Sequence, residues 1–233
     1  MKLIGLIGGM SWESTALYYR IINQQVKQQL GGLHSARCVI YSVDFYQIET
    51  LQSSGEWEKA GTILADAARS LEAAGADFIV LCTNTMHKVA QAITNAVAIP
   101  LLHIADATAA QISHEKFKRV GLLATAFTME QPFYIERFAR SGMEIIVPDT
   151  ANRKTIHDII YQELCLGVIR DESRRRYCEI MAALVHQGAE AIILGCTEIT
   201  LLVGAQDACV PLFDTTQIHA EEAVRFALSG SSR

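Results

Sequence analysis

"GADFIVLCTNTMH" (75–87) and "GAEAIILGCTEIT" (188–200) decide the reading of this chain. Each opens on glycine, alanine and an acidic residue. Each then runs through four apolar positions, Phe78 to Leu81 and Ala191 to Leu194, into a polar turn. A short apolar run bounded by glycine and polar residues reads as a buried strand. Each stretch also carries a cysteine near its strand's end. Aligned on Gly75 and Gly188, these are one residue out of register: Cys82 stands opposite Gly195, and Thr83 opposite Cys196.

The pairing extends outward into an internal repeat. "KLIGLIGGMSWES" (2–14) matches "KRVGLLATAFTME" (118–130), and "AIPLLHIAD" (98–106) matches "CVPLFDTTQ" (209–217). The offset shrinks from 116 to 113 to 111 along the chain, as duplication followed by small deletions would leave it. Between the apolar runs lie segments such as 57–74 and 173–187, with apolar residues at helical spacing. Continuous apolar strands alternating with helices predict an α/β fold whose parallel sheets are covered on both faces. The repeat divides the chain into two lobes, and two sheet edges facing each other would make a cleft between them. Residues 1–100 form the first lobe, joined by a C-terminal segment of about 211–229 that packs back on it. Residues 101–210 form the second lobe, and the final "SGSSR" reads as a frayed tail. Right-handed crossovers put the strand-to-helix turns on one sheet edge. Gly8 to Ser11, Thr83 to Thr85, Thr125 to Thr128 and Cys196 to Glu198 should lie there.

Composition narrows the function. Of 233 residues, half are hydrophobic and 19% are charged, so a large core is available and extensive disorder is excluded. A net charge of −5 argues against a nucleic-acid or anionic-membrane surface, both of which need a basic stripe. No apolar run approaches the roughly 20 residues of a membrane span. "MKLIGLIGGMSWES" reads as a first strand and turn, since its apolar run stops at a glycine pair. The six cysteines, at 38, 82, 165, 178, 196 and 209, form neither a CxxC nor a zinc-type cluster. Reduced thiols in the cytoplasm, with no metal and no cofactor, are the expectation.

Cys196 is the strongest chemical candidate. It follows a buried run and precedes a helix expected to begin at Thr197, whose dipole would lower the thiol pKa toward neutrality. A thiolate near neutral pH acts as a base or nucleophile. Cys38, Cys165, Cys178 and Cys209 read as small buried hydrophobes. Thr83, Asn84 and Thr85 offer donors for a carboxylate, or cap a helix. Glu198 suits a substrate ammonium or the helix start. Met10, Ser11, Gln52, Thr125, Thr128 and Thr197 complete the candidate substrate contacts. His87 reads as an orienting or structural histidine, while His103 and His219, with no clustered partners in sequence, read as structural. Gly8-Gly9-Met10-Ser11 fits neither phosphate-loop pattern, and a tight turn is sufficient explanation.

Together these residues resemble the PLP-independent aspartate/glutamate racemase superfamily across essentially the whole chain. The marks are "IGLIGGM", "NTMH" (84–87), "GLLAT" (121–125) and "GCTE" (195–198). Further marks such as "LCTNTMHKVA", "LHIADAT" and "IHAEEAV" are similar to its broad-specificity amino-acid racemases. The resemblance implies two Rossmann-like lobes related by a pseudo-twofold axis, the active site in the cleft between them, and a homodimer that takes the α-proton of a small amino acid with one cysteine and returns a proton from another. The family's first motif usually reads Cys-Asn-Thr-x-His, but the residue before Asn84 here is Thr83. In a strand a one-residue slip reverses the side chain's direction. Cys82 is therefore expected to point away, leaving a Thr83/Cys196 pair and asymmetric catalysis. Cys196 would abstract from the L-enantiomer.

Acidic-substrate members resemble one another in a cationic grip that is missing here. Residues 38–58 and 155–169 contain no Lys or Arg, and Cys165 falls where the lysine is expected. Glutamate or aspartate held by neutral donors, and a neutral substrate such as homoserine, both stay open. Two other classes compete: a single-cysteine decarboxylase of malonates on the same scaffold, and a non-catalytic small-molecule binding protein.

Overall fold

The computed structural model describes residues 1–230; most of the expected frayed tail lies outside them. The strands are β1 (Ile4–Gly8), β2 (Cys38–Ser42), β3 (Phe78–Leu81), β4 (Leu101–Leu102), β5 (Arg119–Ala124), β6 (Glu144–Ile146), β7 (Ala191–Gly195) and β8 (Leu212–Asp214). The helices of the first half are α1 (Trp12–Leu30), α2 (Phe45–Ser53), α3 (Trp57–Ala73), α4 (Ala90–Ala96) and α5 (Ile104–His114). Those of the second are α6 (Ala126–Glu130), α7 (Pro132–Arg140), α8 (Thr150–Gln162), α9 (Asp171–His186), α10 (Ile199–Leu202) and α11 (Thr215–Leu228). Two four-stranded, wholly parallel sheets result, ordered β2-β1-β3-β4 and β6-β5-β7-β8. The fold is α/β, as the alternating pattern predicts. The chain forms two compact units, one of Met1–Ile104 with His219 onward, the other of Ala105–Ile218.

Strand register reproduces the repeat. Ile4 pairs with Phe78 and Ile79 with Leu101 in the first sheet; Val120 pairs with Ala191 and Ile192 with Leu212 in the second. These partners stand apart by the same 116, 113 and 111 positions as the sequence repeat. Register therefore makes Thr83 the counterpart of Cys196, and Cys82 the counterpart of Gly195. A side chain at Gly195 would meet Ala124 Cβ and Leu122 Cδ1 at 3.0 Å, so a cysteine there would have to push its neighbours aside.

Alternation sorts the first sheet's residues between two cores. Ile4, Leu6, Phe78, Val80 and Cys82 pack with Tyr18 and Ile22 of α1 and with Ala220, Ala223, Val224 and Ala227 of α11. That spacing on α11 is one apolar helical stripe. Ile7, Ile79 and Leu81 face the opposite way, against Leu64, Ala67, Ala68 and Leu71 of α3.

Candidate active site

In the first unit, Gly8 to Ser11 leave β1 in a tight turn. Gly9 has φ +94°, and a Cβ there would lie 2.1 Å from the Val43 carbonyl oxygen, so glycine is required. Gly9 N donates to Thr15 Oγ1 at 2.8 Å, and Ser11 caps α1 by accepting from Ser14 N at 3.3 Å. Ser14 Oγ reaches across to the Cys82 carbonyl at 3.4 Å, joining this turn to the end of β3. Cys82 itself is fully buried in the α1/α11 core, where burial and the neighbouring Cys38 push its thiol pKa far up.

After Cys82 the chain turns through Thr83 and Asn84 into a short 3₁₀ turn, Thr85–Val89. Asn84 and Thr85 are buried, and the Asn84 side chain does not cap that turn. Met10 and Met86 share the α3-side core, and Gln52 is buried with its amide donating to Met86 Sδ at 2.8 Å. Below the turn lies an arrangement invisible in the sequence. His103 and His219, expected to lack clustered partners, are buried together with His87, with ring centroids 4.3 Å apart for His87 and His103 and 6.0 Å for His87 and His219. His87 bonds the Thr83 carbonyl through Nδ1 at 2.7 Å, and its Nε2 receives the Ile104 amide at 3.3 Å. His219 lies between the Tyr18 hydroxyl (2.9 Å, at Nδ1) and the Leu102 carbonyl (2.9 Å, at Nε2). Burial drives the His219 pKa down to about 4, so it is neutral at ordinary pH.

In the second unit, Thr125 begins α6 and its hydroxyl lies 3.3 Å from that of the buried Thr128. His157 on α8 supports this turn by accepting from Ala126 N at 3.2 Å; burial first, with Lys154 adding, lowers its pKa. Thr197 receives the Thr216 hydroxyl at 3.2 Å, and Thr215 bonds the Leu194 carbonyl at 2.9 Å, so the start of α11 braces the end of β7. Neither His157 nor Thr216 carries a sequence signal, because each contact joins distant segments.

Cys196 overturns one expectation. Its thiol pKa lies well above the ordinary value, not below it. The helix after it, α10, has four residues and starts only at Ile199, so its dipole is small. Burial of the sulfur is the largest cause, followed by the Glu198 carboxylate, whose Oε2 accepts the thiol hydrogen at 3.0 Å, and then by Cys165. Glu198 is buried and caps no helix start with its side chain. The nearby Tyr177 hydroxyl, bonded to the Ile156 carbonyl at 3.3 Å, is held protonated by burial and by Cys196 itself. Cys209, expected to be buried, is exposed.

Among the described residues no group of three or more His, Cys, Asp or Glu could hold a metal ion, and no helix is long and apolar enough to cross a membrane. The family model for Asp/Glu/hydantoin racemases matches residues 7–223. The chain belongs to this family. Across the racemase family, its relatives include the broad specificity amino-acid racemase RacX of Bacillus subtilis strain 168, at 25% identity over 99% of this chain and all of that protein. A Yersinia pestis protein provisionally assigned as an Asp/Glu racemase has a crystal structure matching at 58% identity and a TM-score of 0.93, covering 98% of this chain and 100% of that one. The structure of an aspartate racemase homologue from Pyrococcus horikoshii OT3 matches at 33% identity and TM-score 0.83, over 97% and 99% of the two chains. In racemase terms, both candidate acid/base residues occupy the carboxyl end of the third strand of their own unit.

Proposed function

We propose that the chain is a cofactor-independent amino-acid racemase in which Cys196 removes the α-proton of the L-substrate and Thr83 serves the opposite face. The single observation that carries this is the shared strand register, which gives Thr83 and Cys196 equivalent positions while Cys82 is buried in the core. Cys196 waits as a thiol because its sulfur is buried and faces Glu198. A substrate ammonium drawn to Glu198 offsets that charge, so the thiol can release its proton to solvent when substrate is present. Thiolate takes the α-proton, and the electron pair moves into the substrate carboxylate, where the hydroxyls and backbone amides of the Thr125 and Thr197 turns stabilise it. A proton from the Thr83 hydroxyl, directly or through a water, reaches Cα on the other face, and solvent restores the hydroxyl. Threonine is a far poorer base than a thiolate, so abstraction from the D-enantiomer is slow.

The missing Lys and Arg in 38–58 and 155–169 favour a neutral side chain such as homoserine's alongside glutamate and aspartate. The test is a panel of L- and D-amino acids in D₂O, with loss of the α-proton followed by NMR. Exchange from L faster than from D, abolished in Cys196→Ser, supports the reading; equal rates from both would sink the asymmetry. One cysteine in register also suits a single-cysteine decarboxylase, and CO₂ release from an activated malonate without α-exchange on any amino acid would favour that instead.

A further inference from the structure

The Thr83 backbone is held at both ends. Its amide donates to the Leu81 carbonyl at 2.9 Å, and its carbonyl receives His87 at 2.7 Å. At the far edge of the same imidazole, Nε2 faces the Ile104 amide at 3.3 Å. A backbone N–H only donates, so Nε2 accepts, and the ring proton is on Nδ1, pointing at Thr83. Only a neutral imidazole offers a donor and an acceptor on opposite edges of one rigid ring; Lys and Arg offer no acceptor, and aliphatic residues offer neither. Ile104 and His219 are also the first unit's junction residues, where the chain leaves it and returns. The ring cluster therefore ties the Thr83 turn to that place.

We infer that His87 is a positioning residue for Thr83: as the Nδ1–H tautomer it fixes the Thr83 carbonyl against the Ile104 amide, and so sets where the Thr83 hydroxyl points. This rests on the racemase reading above. Peptide groups held on both sides of Thr83 leave its Cα–Cβ bond one direction. Proton transfer is steeply sensitive to such placement, a misplacement of about 1 Å costing on the order of a hundredfold. Both of these His87 bonds join residues of the first unit, so the loss of the ring is expected to act on the Thr83 half-reaction.

The experiment uses L-homoserine and L-glutamate in D₂O, with chiral chromatography and NMR separating inverted product from deuterium recovered in the L-substrate. Wild type gives both. His87→Phe, which keeps the ring packing and loses both bonds, is expected to lower the inversion-to-exchange ratio about tenfold or more, with L-exchange within about threefold of wild type. His87→Asn, whose amide nitrogen stands near the place of Nδ1, is expected to restore the ratio to within about threefold. A ratio unchanged in His87→Phe, or a parallel loss of inversion and exchange, overturns the inference alone. Absence of α-exchange in wild type overturns the racemase reading and this with it. Should His87→Phe fail to fold, ¹⁵N NMR of the wild-type imidazole decides: a protonated Nδ1 with a bare Nε2 is required, and the opposite tautomer overturns the assignment.

Discussion

Replacing Glu198 by Gln separates the two roles assigned to its carboxylate. Gln keeps an acceptor for the Cys196 thiol, which donates to Glu198 at 3.0 Å, and removes only the charge. Two unit charges about 4 Å apart interact by roughly 4 kcal/mol at an effective dielectric near 20. Cys196 is only half-buried, and its exposure together with relaxation discounts this to about 1.4–2.7 kcal/mol, or roughly ten- to a hundredfold more thiolate at a fixed pH. A more acidic thiol is also a weaker nucleophile, so about half the logarithmic gain survives in a reaction rate. Alkylation of Cys196 by iodoacetamide at pH 7.5 should therefore speed up about three- to tenfold. Peptide mass spectrometry gives the rate at Cys196 alone, and exposed Cys209 serves as the internal reference. The direction with pH follows from the raised pKa: wild-type Cys196 is a neutral thiol at pH 7, its alkylation rises only toward alkaline pH, and in Glu198→Gln the rise begins lower. Turnover should move the other way, with kcat/KM for the L-substrate falling at least about tenfold as the ammonium partner is lost. Unchanged or slower alkylation would refute the claim that the carboxylate charge holds this thiol protonated. Faster alkylation with undiminished kcat/KM would refute its role toward substrate.

Thr83→Cys places a thiol in the register of Cys196, and deuterium wash-in from the D-enantiomer should rise about tenfold or more, narrowing the L/D difference; no rise would count against Thr83 as the second acid/base. Cys82→Ala should cost about 1–2 kcal/mol in urea unfolding and leave α-exchange within about twofold, because Cys82 is core. His219 titrates near 4 when folded and near 6.5 when unfolded, so only the unfolded chain gains its proton between those values. Stability is full above about pH 6.5 and should fall by up to about 3 kcal/mol as pH drops toward 4, with the slope reduced in His219→Gln.

Much of this was legible in the chain because it is local or repeated. Apolar runs between glycine and polar turns mark β3 and β7 by themselves, and 3.6-residue spacing marks α3 and α9. The duplication gave the strand register, and with it the exchange of Thr83 for a cysteine and the burial of Cys82. The sequence could not carry charge and contact across space. A turn after a strand suggests a helix dipole that acidifies the thiol, whereas the dipole is that of a single turn and the sulfur faces Glu198, two residues on. His87, His103 and His219 carry no spacing signal, since the third is 132 positions from the first. Only the packing of α11 on the first sheet and the pairing of β3 with β4 bring their rings together, and only a buried environment makes a histidine's two nitrogens choose fixed partners.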